Sequence, residues 1–235
     1  MLHPVVGRRR VRSVTADVSW EQLAAGAAID SARRQPATRL SGELYGARPT
    51  GNAGPREALR AARRSFVAGE RIDMGALAGT LGVDRATLFR WVGNRDELLS
   101  EVIWSLCLPT WQRAVRMAEG TGVARVMSVF RAFSGDIINA GFFRAYLRRE
   151  RERALRLLTT RAGVHQSRVI ALIEGLLRAE QQSSGLTLPL PVHDMAYVMT
   201  RVVESFIYAD LIIGEEPDAA KAAAAVGALL GPASG

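Results

Sequence analysis

The chain has 235 residues, 48% apolar and 23% charged, which suits one large globular domain or two modest ones. Its formal net charge is +8, almost all of it arginine, with Lys221 the only lysine, and its single cysteine, Cys107, excludes an intramolecular disulfide and points to a reducing cytoplasm. The RRRVR run at 8–12 has no apolar stretch behind it, which argues against a secretory signal, and Arg201, Glu204 and Asp210 interrupt the apolar-rich run around 195–213, which argues against a membrane span.

Residues 1–52 mix arginine clusters with Gly, Pro, Ser and Thr and show little sustained periodicity, so mostly mobile chain is expected, with a short helix over Trp20–Arg34. Three readings of this segment stand side by side: a basic arm that gathers DNA phosphates, a tail without function, and a translation start set too far upstream. From Pro55 the pattern turns helical. Ala58, Leu59, Ala62, Phe66 and Val67 form an apolar stripe, with Arg60, Arg63 and Arg64 on the opposite face.

The stretch DMGALAGTLGVDRATLFRWVGNRDELL (73–99) reads as a short helix, a turn at Gly82-Val83, a second short helix and the capped start of a third. Two helices joined by a three- to four-residue Gly-containing turn make a helix-turn-helix. Asp73 and Asp84 are placed as N-caps, and Asn94 with Glu97 reads as a capping box. Leu88 and Val92 face the core, which leaves Arg85, Ala86, Thr87, Phe89, Arg90 and Trp91 on or beside the outer surface. Charge agrees: residues 1–100 carry 16 basic against 10 acidic side chains, and residues 101–235 carry 15 against 13. Codon bias in a GC-rich genome accounts for the arginine total, but not for its concentration in this half.

Beyond Leu98, helices are expected at about 94–118, 122–138, 142–159, 162–182, 191–213 and 217–230, with Pro109 kinking or interrupting the first. The run RRERERALR (148–156) reads as a solvated helix face. There is no strand signal and no internal repeat, so the fold class is all-α.

The segment LAGTLGVDRATLFRWVGNRDELL resembles the N-terminal domain of the TetR family of bacterial transcriptional regulators, and the resemblance covers about 55–103. RVVESFIYADLIIGEEPD (201–218), with Trp91, is similar to the QsdR-like branch, whose members are associated with quorum-signal and lactone degradation. The resemblance implies a DNA-binding domain over 53–98 and a helical ligand-binding and dimerisation domain over 99–235. It also implies roles. Thr87 and Phe89 fall where the family contacts phosphate and base edges, Arg85, Ala86 and Arg90 on the exposed flank, and Asn94 and Arg95 at the start of the next helix, Arg95 matching a phosphate-binding lysine. Phe89 stands where the family usually has Tyr, so a phosphate hydrogen bond is lost while contact with a thymine methyl is kept. Trp91 replaces the more usual His and is expected against the sugar-phosphate backbone.

The implied partners are double-stranded DNA with a palindromic operator, a second copy of the chain, and a small effector that is apolar or lactone-like. No cofactor, metal or membrane is expected. The dimer surface is expected from the last two helices, through Val198, Val202, Phe206 and Ile207 and the alanine-rich AAKAAAAVGALL. Candidate cavity residues are Trp104, Trp111, Phe130, Phe133, Phe142, Phe143, Tyr146, Met199 and Phe206, with His165, His193 and Asp194 as polar anchors. For each, plain core packing is the competing reading. A repressor released by its ligand is the leading function, and an architectural DNA binder without a small-molecule switch is the alternative. The absence of a G-x-S-x-G, H-E-x-x-H, P-loop or dinucleotide motif leaves an enzyme without a site.

Overall fold

A computed structural model describes residues 38–45, 53–160 and 163–231, in which twelve helices and no strand occur. In chain order they are α1 (Arg39–Tyr45), α2 (Ala53–Val67), α3 (Met74–Thr80), α4 (Arg85–Val92), α5 (Arg95–Met117), α6 (Gly122–Asn139), α7 (Gly141–Arg149), α8 (Arg151–Thr159), α9 (His165–Ser184), α10 (Val192–Ile207), α11 (Ala209–Ile212) and α12 (Ala219–Leu230). Among the described residues no helix is long and apolar enough to cross a membrane.

Local chemistry builds the helices at the start of this chain. Asp73 accepts a hydrogen bond from the amide of Ala76 at 2.7 Å and opens α3. Gly82, at φ +65°, makes the turn into α4 without the steric penalty that a side chain would bring. Ala58, Ala62, Phe66, Met74, Leu77, Ala78, Leu88 and Val92 then close a small core under α2, α3 and α4. The remaining helices form a second layer of packing in which α6 lies between α5 and α12, and α10 between α9 and α12.

Three expectations change. Residues 39–45, inside the segment expected to be mobile, form α1, which packs on α2 and α4 and buries Leu40 completely. The expected helix over Trp20–Arg34 lies outside the described residues. Pro109 does not interrupt α5, which runs unbroken to Met117. The single helix expected over 142–159 is two, because Glu150 leaves helical geometry (φ −130°, ψ 45°) between α7 and α8.

Candidate nucleic-acid interface and cavity

The helix-turn-helix places α4 with one face inward and one outward. Leu88 and Val92 are buried, while Arg85, Ala86, Phe89 and Arg90 are exposed. A chain of short contacts runs along the outward face. The amide of Thr87 donates to Asp84 Oδ1 at 2.7 Å, its hydroxyl donates to Asp84 Oδ2 at 2.9 Å, and Arg90 donates to the Thr87 hydroxyl at 2.8 Å. These bonds to the Thr87 amide and hydroxyl hold the Asp84 carboxyl below the ordinary carboxylate range. The network fixes the Arg90 guanidinium over the surface through an exposed hydroxyl, an arrangement that phosphate oxygens can replace at small cost.

The two aromatic residues of α4 part company. Phe89 is 42% exposed. Trp91 is half-buried, and its indole lies over the start of α2, so that a Cβ at Gly54 would stand 2.4 Å from the ring. Instead of lying free for the sugar-phosphate backbone, Trp91 packs α4 onto α2. Asn94 is exposed, and its side-chain oxygen is engaged by the amides of Asp96 and Glu97 in a complete capping box.

Arg95 departs from its expected role. It does not project as a phosphate ligand. Its Nε donates to the carbonyl of Ile72 at 2.8 Å, and its two terminal nitrogens make a bidentate pair with Glu150 at 2.6 and 2.7 Å, both side chains about nine-tenths buried. Arg149 donates to the carbonyl of Gly69 at 2.6 Å, and Arg153 donates to Asp96 at 2.7 Å. In the charge run at 148–156, Arg148, Arg149, Arg151, Glu152 and Arg156 are exposed, as a solvated face requires, while Glu150 and Arg153 turn inward. Its inward side chains, with Arg149, pin the α7–α8 corner to the α2–α3 loop and to the start of α5, joining the helix-turn-helix to the rest of the molecule. A second tie lies deeper. Arg168 forms a bidentate pair with Glu101 (2.7 and 3.0 Å), Tyr45 of α1 donates to the same carboxylate at 2.5 Å, and the guanidinium stacks on Tyr45 and Trp104.

A cavity opens between α2, α5, α6, α7, α9 and the α10–α11 corner. Phe66 of the reading head is part of its wall, as are Ile103, Cys107, Ile137, Phe143 and Tyr208. Of the residues expected there, Phe142, Phe143 and His165 line it. The others do not. Trp111 meets Phe130 and Phe133 edge-on at 5.8 and 5.1 Å in a closed cluster, Trp104 lies under Arg168, Tyr146 packs edge-on against Phe66, Met199 is fully buried, and Phe206 is half-buried outside the lining. His193 and Asp194 are exposed, and His193 pairs with Glu174 at 2.7 Å. Sequence reasoning missed Phe66, Cys107 and Tyr208, which look like ordinary core positions in sequence, and Asp136, which looks like one of the charged positions of an amphipathic helix.

On the expected dimer surface, Ile207 is buried in its own chain, while Val198, Val202 and Phe206 remain half-buried. The small face of α12 is largely used within the chain. Ala222, Ala223 and Val226 are buried, and a Cβ at Gly227 would stand 2.5 Å from the sulfur of Met127 on α6.

Comparison with known proteins agrees with this architecture. Residues 121–231 match the family model described as tetracyclin repressor-like, C-terminal domain. Among solved structures, the R. erythropolis transcriptional repressor QsdR of the TetR family is 29% identical, with a TM-score of 0.71 over 77% of this chain and 96% of that one. No curated protein matches the sequence.

Proposed function

We propose that this chain, which belongs to the TetR family and is a DNA-binding transcriptional regulator, acts in the cytoplasm as a dimeric repressor that a small, mostly apolar effector releases from a palindromic operator. The DNA-reading surface is the outward face of α4: Arg85, Ala86, Thr87, Phe89 and Arg90, with Asn94 beside it. In a two-fold dimer, two such faces about 34–36 Å apart read successive major grooves. Trp91 supports that surface from behind, and Arg95 holds it to the effector-binding helices.

One observation carries the switch. The cavity wall includes Phe66, a side chain of the reading head itself. A molecule in the cavity touches α2 directly and can favour one placement of the head over another, so effector and operator oppose each other through differential affinity. An architectural DNA binder has no use for such a cavity.

Footprinting on the DNA beside the chain's own gene, with and without lipophilic compounds, tests the reading. A protected palindrome released by a compound is the expected result. Uniform, sequence-independent coating with a steep salt dependence overturns it in favour of the architectural alternative.

A further inference from the structure

The charges around the cavity restrict what it can hold; this inference rests on the effector-binding reading above. We propose that the occupant is an uncharged, mostly apolar molecule with one hydrogen-bonding group directed at His165, and that the same molecule carrying a carboxylate is refused.

The wall is apolar on the sides formed by Phe66, Ile103, Ile137, Phe142 and Phe143. Five polar side chains interrupt it. Thr110 spends its hydroxyl on the carbonyl of Leu106 at 2.9 Å. Burial keeps the Cys107 thiol protonated, pushed up to about 12, and pushes the Tyr208 phenol well above its ordinary value, with Glu204 adding to the effect. Asp136 is the one carboxylate in the lining, and it is paired with Arg113. His165 remains. Burial, and after it the nearby Arg168 charge, push its imidazole down to about 4, so it is neutral at pH 7. Its Nδ1 is buried without a hydrogen-bond partner. A buried polar atom in that condition costs free energy until something bonds to it.

Among the described residues, no cationic side chain lines the cavity to balance an anion. The three guanidinium groups near the cavity are committed elsewhere: Arg168 to Glu101 between two aromatic faces, Arg113 to Asp136, and Arg144 to Asp210 and the carbonyl of Ile207. A carboxylate drawn into this space would lose its water, gain no countercharge and face Asp136. An ester or alcohol of the same length would lose far less hydration and could complete the hydrogen bonding of His165. The cavity thus selects on charge before shape, and the selectivity comes from the lack of an available cation as much as from any contact made.

Calorimetric titration of the full chain at pH 7.5 with methyl nonanoate and with sodium nonanoate tests this directly. The ester is expected to bind at least about tenfold more tightly than the carboxylate, an increment of one good hydrogen bond or more. His165→Leu should weaken the ester about tenfold and leave the carboxylate as weak as before. Ala140→Leu, which narrows the cavity without touching a polar atom, should abolish ester binding, and it serves as the test if the histidine variant fails to fold. Equal or tighter binding of the carboxylate, no binding of either probe, or ester affinity unchanged in both variants would each overturn the proposal. Operator protection measured without any probe separates the two readings. A chain that protects its operator but breaks the charge rule keeps its role as a regulator, whereas one that obeys the rule but protects no operator loses it.

Discussion

Two arginine–carboxylate clusters lie within a dozen residues of each other, and they differ in kind. On the outward face of α4, Asp84, Thr87 and Arg90 form an exposed chain of bonds confined to one helical turn. Behind it, Arg95 and Glu150 join segments 55 residues apart in a pair of which little reaches solvent. The exposed cluster contributes little to stability because water competes for each of its charges, and for the same reason it can be exchanged for phosphate contacts. The enclosed cluster cannot be exchanged. Removing one partner strands the other away from water, so it fixes geometry and does not bind. An arginine beside a DNA-reading helix is therefore identified by its partner, not by its position in a motif.

The largest effect should come from breaking the enclosed pair. Arg95→Ala is expected to lower the free energy of unfolding by about 2 kcal/mol, less than the ~3–5 kcal/mol of a wholly buried pair, because Arg71 and Arg149 stand 3.9 Å from the same carboxylate. Urea denaturation measures it. The double variant Arg95→Met, Glu150→Leu should recover most of the loss, since an apolar pair leaves no stranded charge. A single variant as stable as the parent would place Arg95 back among the exposed arginines.

Arg90→Ala probes the other cluster. Operator affinity is expected to fall about tenfold, within the range for one lost phosphate or base-edge contact, while the urea midpoint stays where it was. Loss of stability in this variant, or undiminished operator binding, would erase the distinction between the two clusters.

The same contrast explains what the sequence disclosed. Caps are local, so Asp73, Asp84 and the Asn94–Glu97 box could be read from residues three apart, and the structure contains all of them. The inward positions of α4 followed from helical periodicity for the same reason. The partner of Arg95 lies in a charge run whose alternating signs look the same whether they face water or another helix. The cavity was legible only in part, at Phe142, Phe143 and His165. Residue type announces an aromatic side chain but not whether a void or another ring lies against it, and Trp111 has Phe130 and Phe133 there. Helix α1 escaped notice because its seven residues hold too few turns for a periodic signal and, unlike α3, it has no turn motif beside it, although Leu40 and Tyr45 anchor it at both ends.

The smallest effect lies in acid and separates the clusters by their joint response. Burial alone would raise the Glu150 carboxyl. The hydrogen bonds and charge of Arg95, with Arg71 and Arg153 behind it, outweigh burial and hold it below its ordinary value. A carboxyl depressed in the folded state contributes stability above its unfolded value, and that stability is lost as pH falls through the folded one. The parent chain should thus lose part of its stability below about pH 4, where the unfolded chain takes up a proton that the folded Glu150 still refuses. Arg95→Ala removes the main cause of the depression, so its acid limb should be shallower and the two curves should converge toward pH 2. Asp84 is depressed by bonds within its own turn and has the same sign, but Arg95→Ala does not touch it, so whatever slope persists in the variant includes the contribution of the exposed cluster. Parallel acid limbs for the parent and the variant would show that Glu150 owes its low value to something other than Arg95, and the joint between the helix-turn-helix and the helices behind it would have to be sought elsewhere.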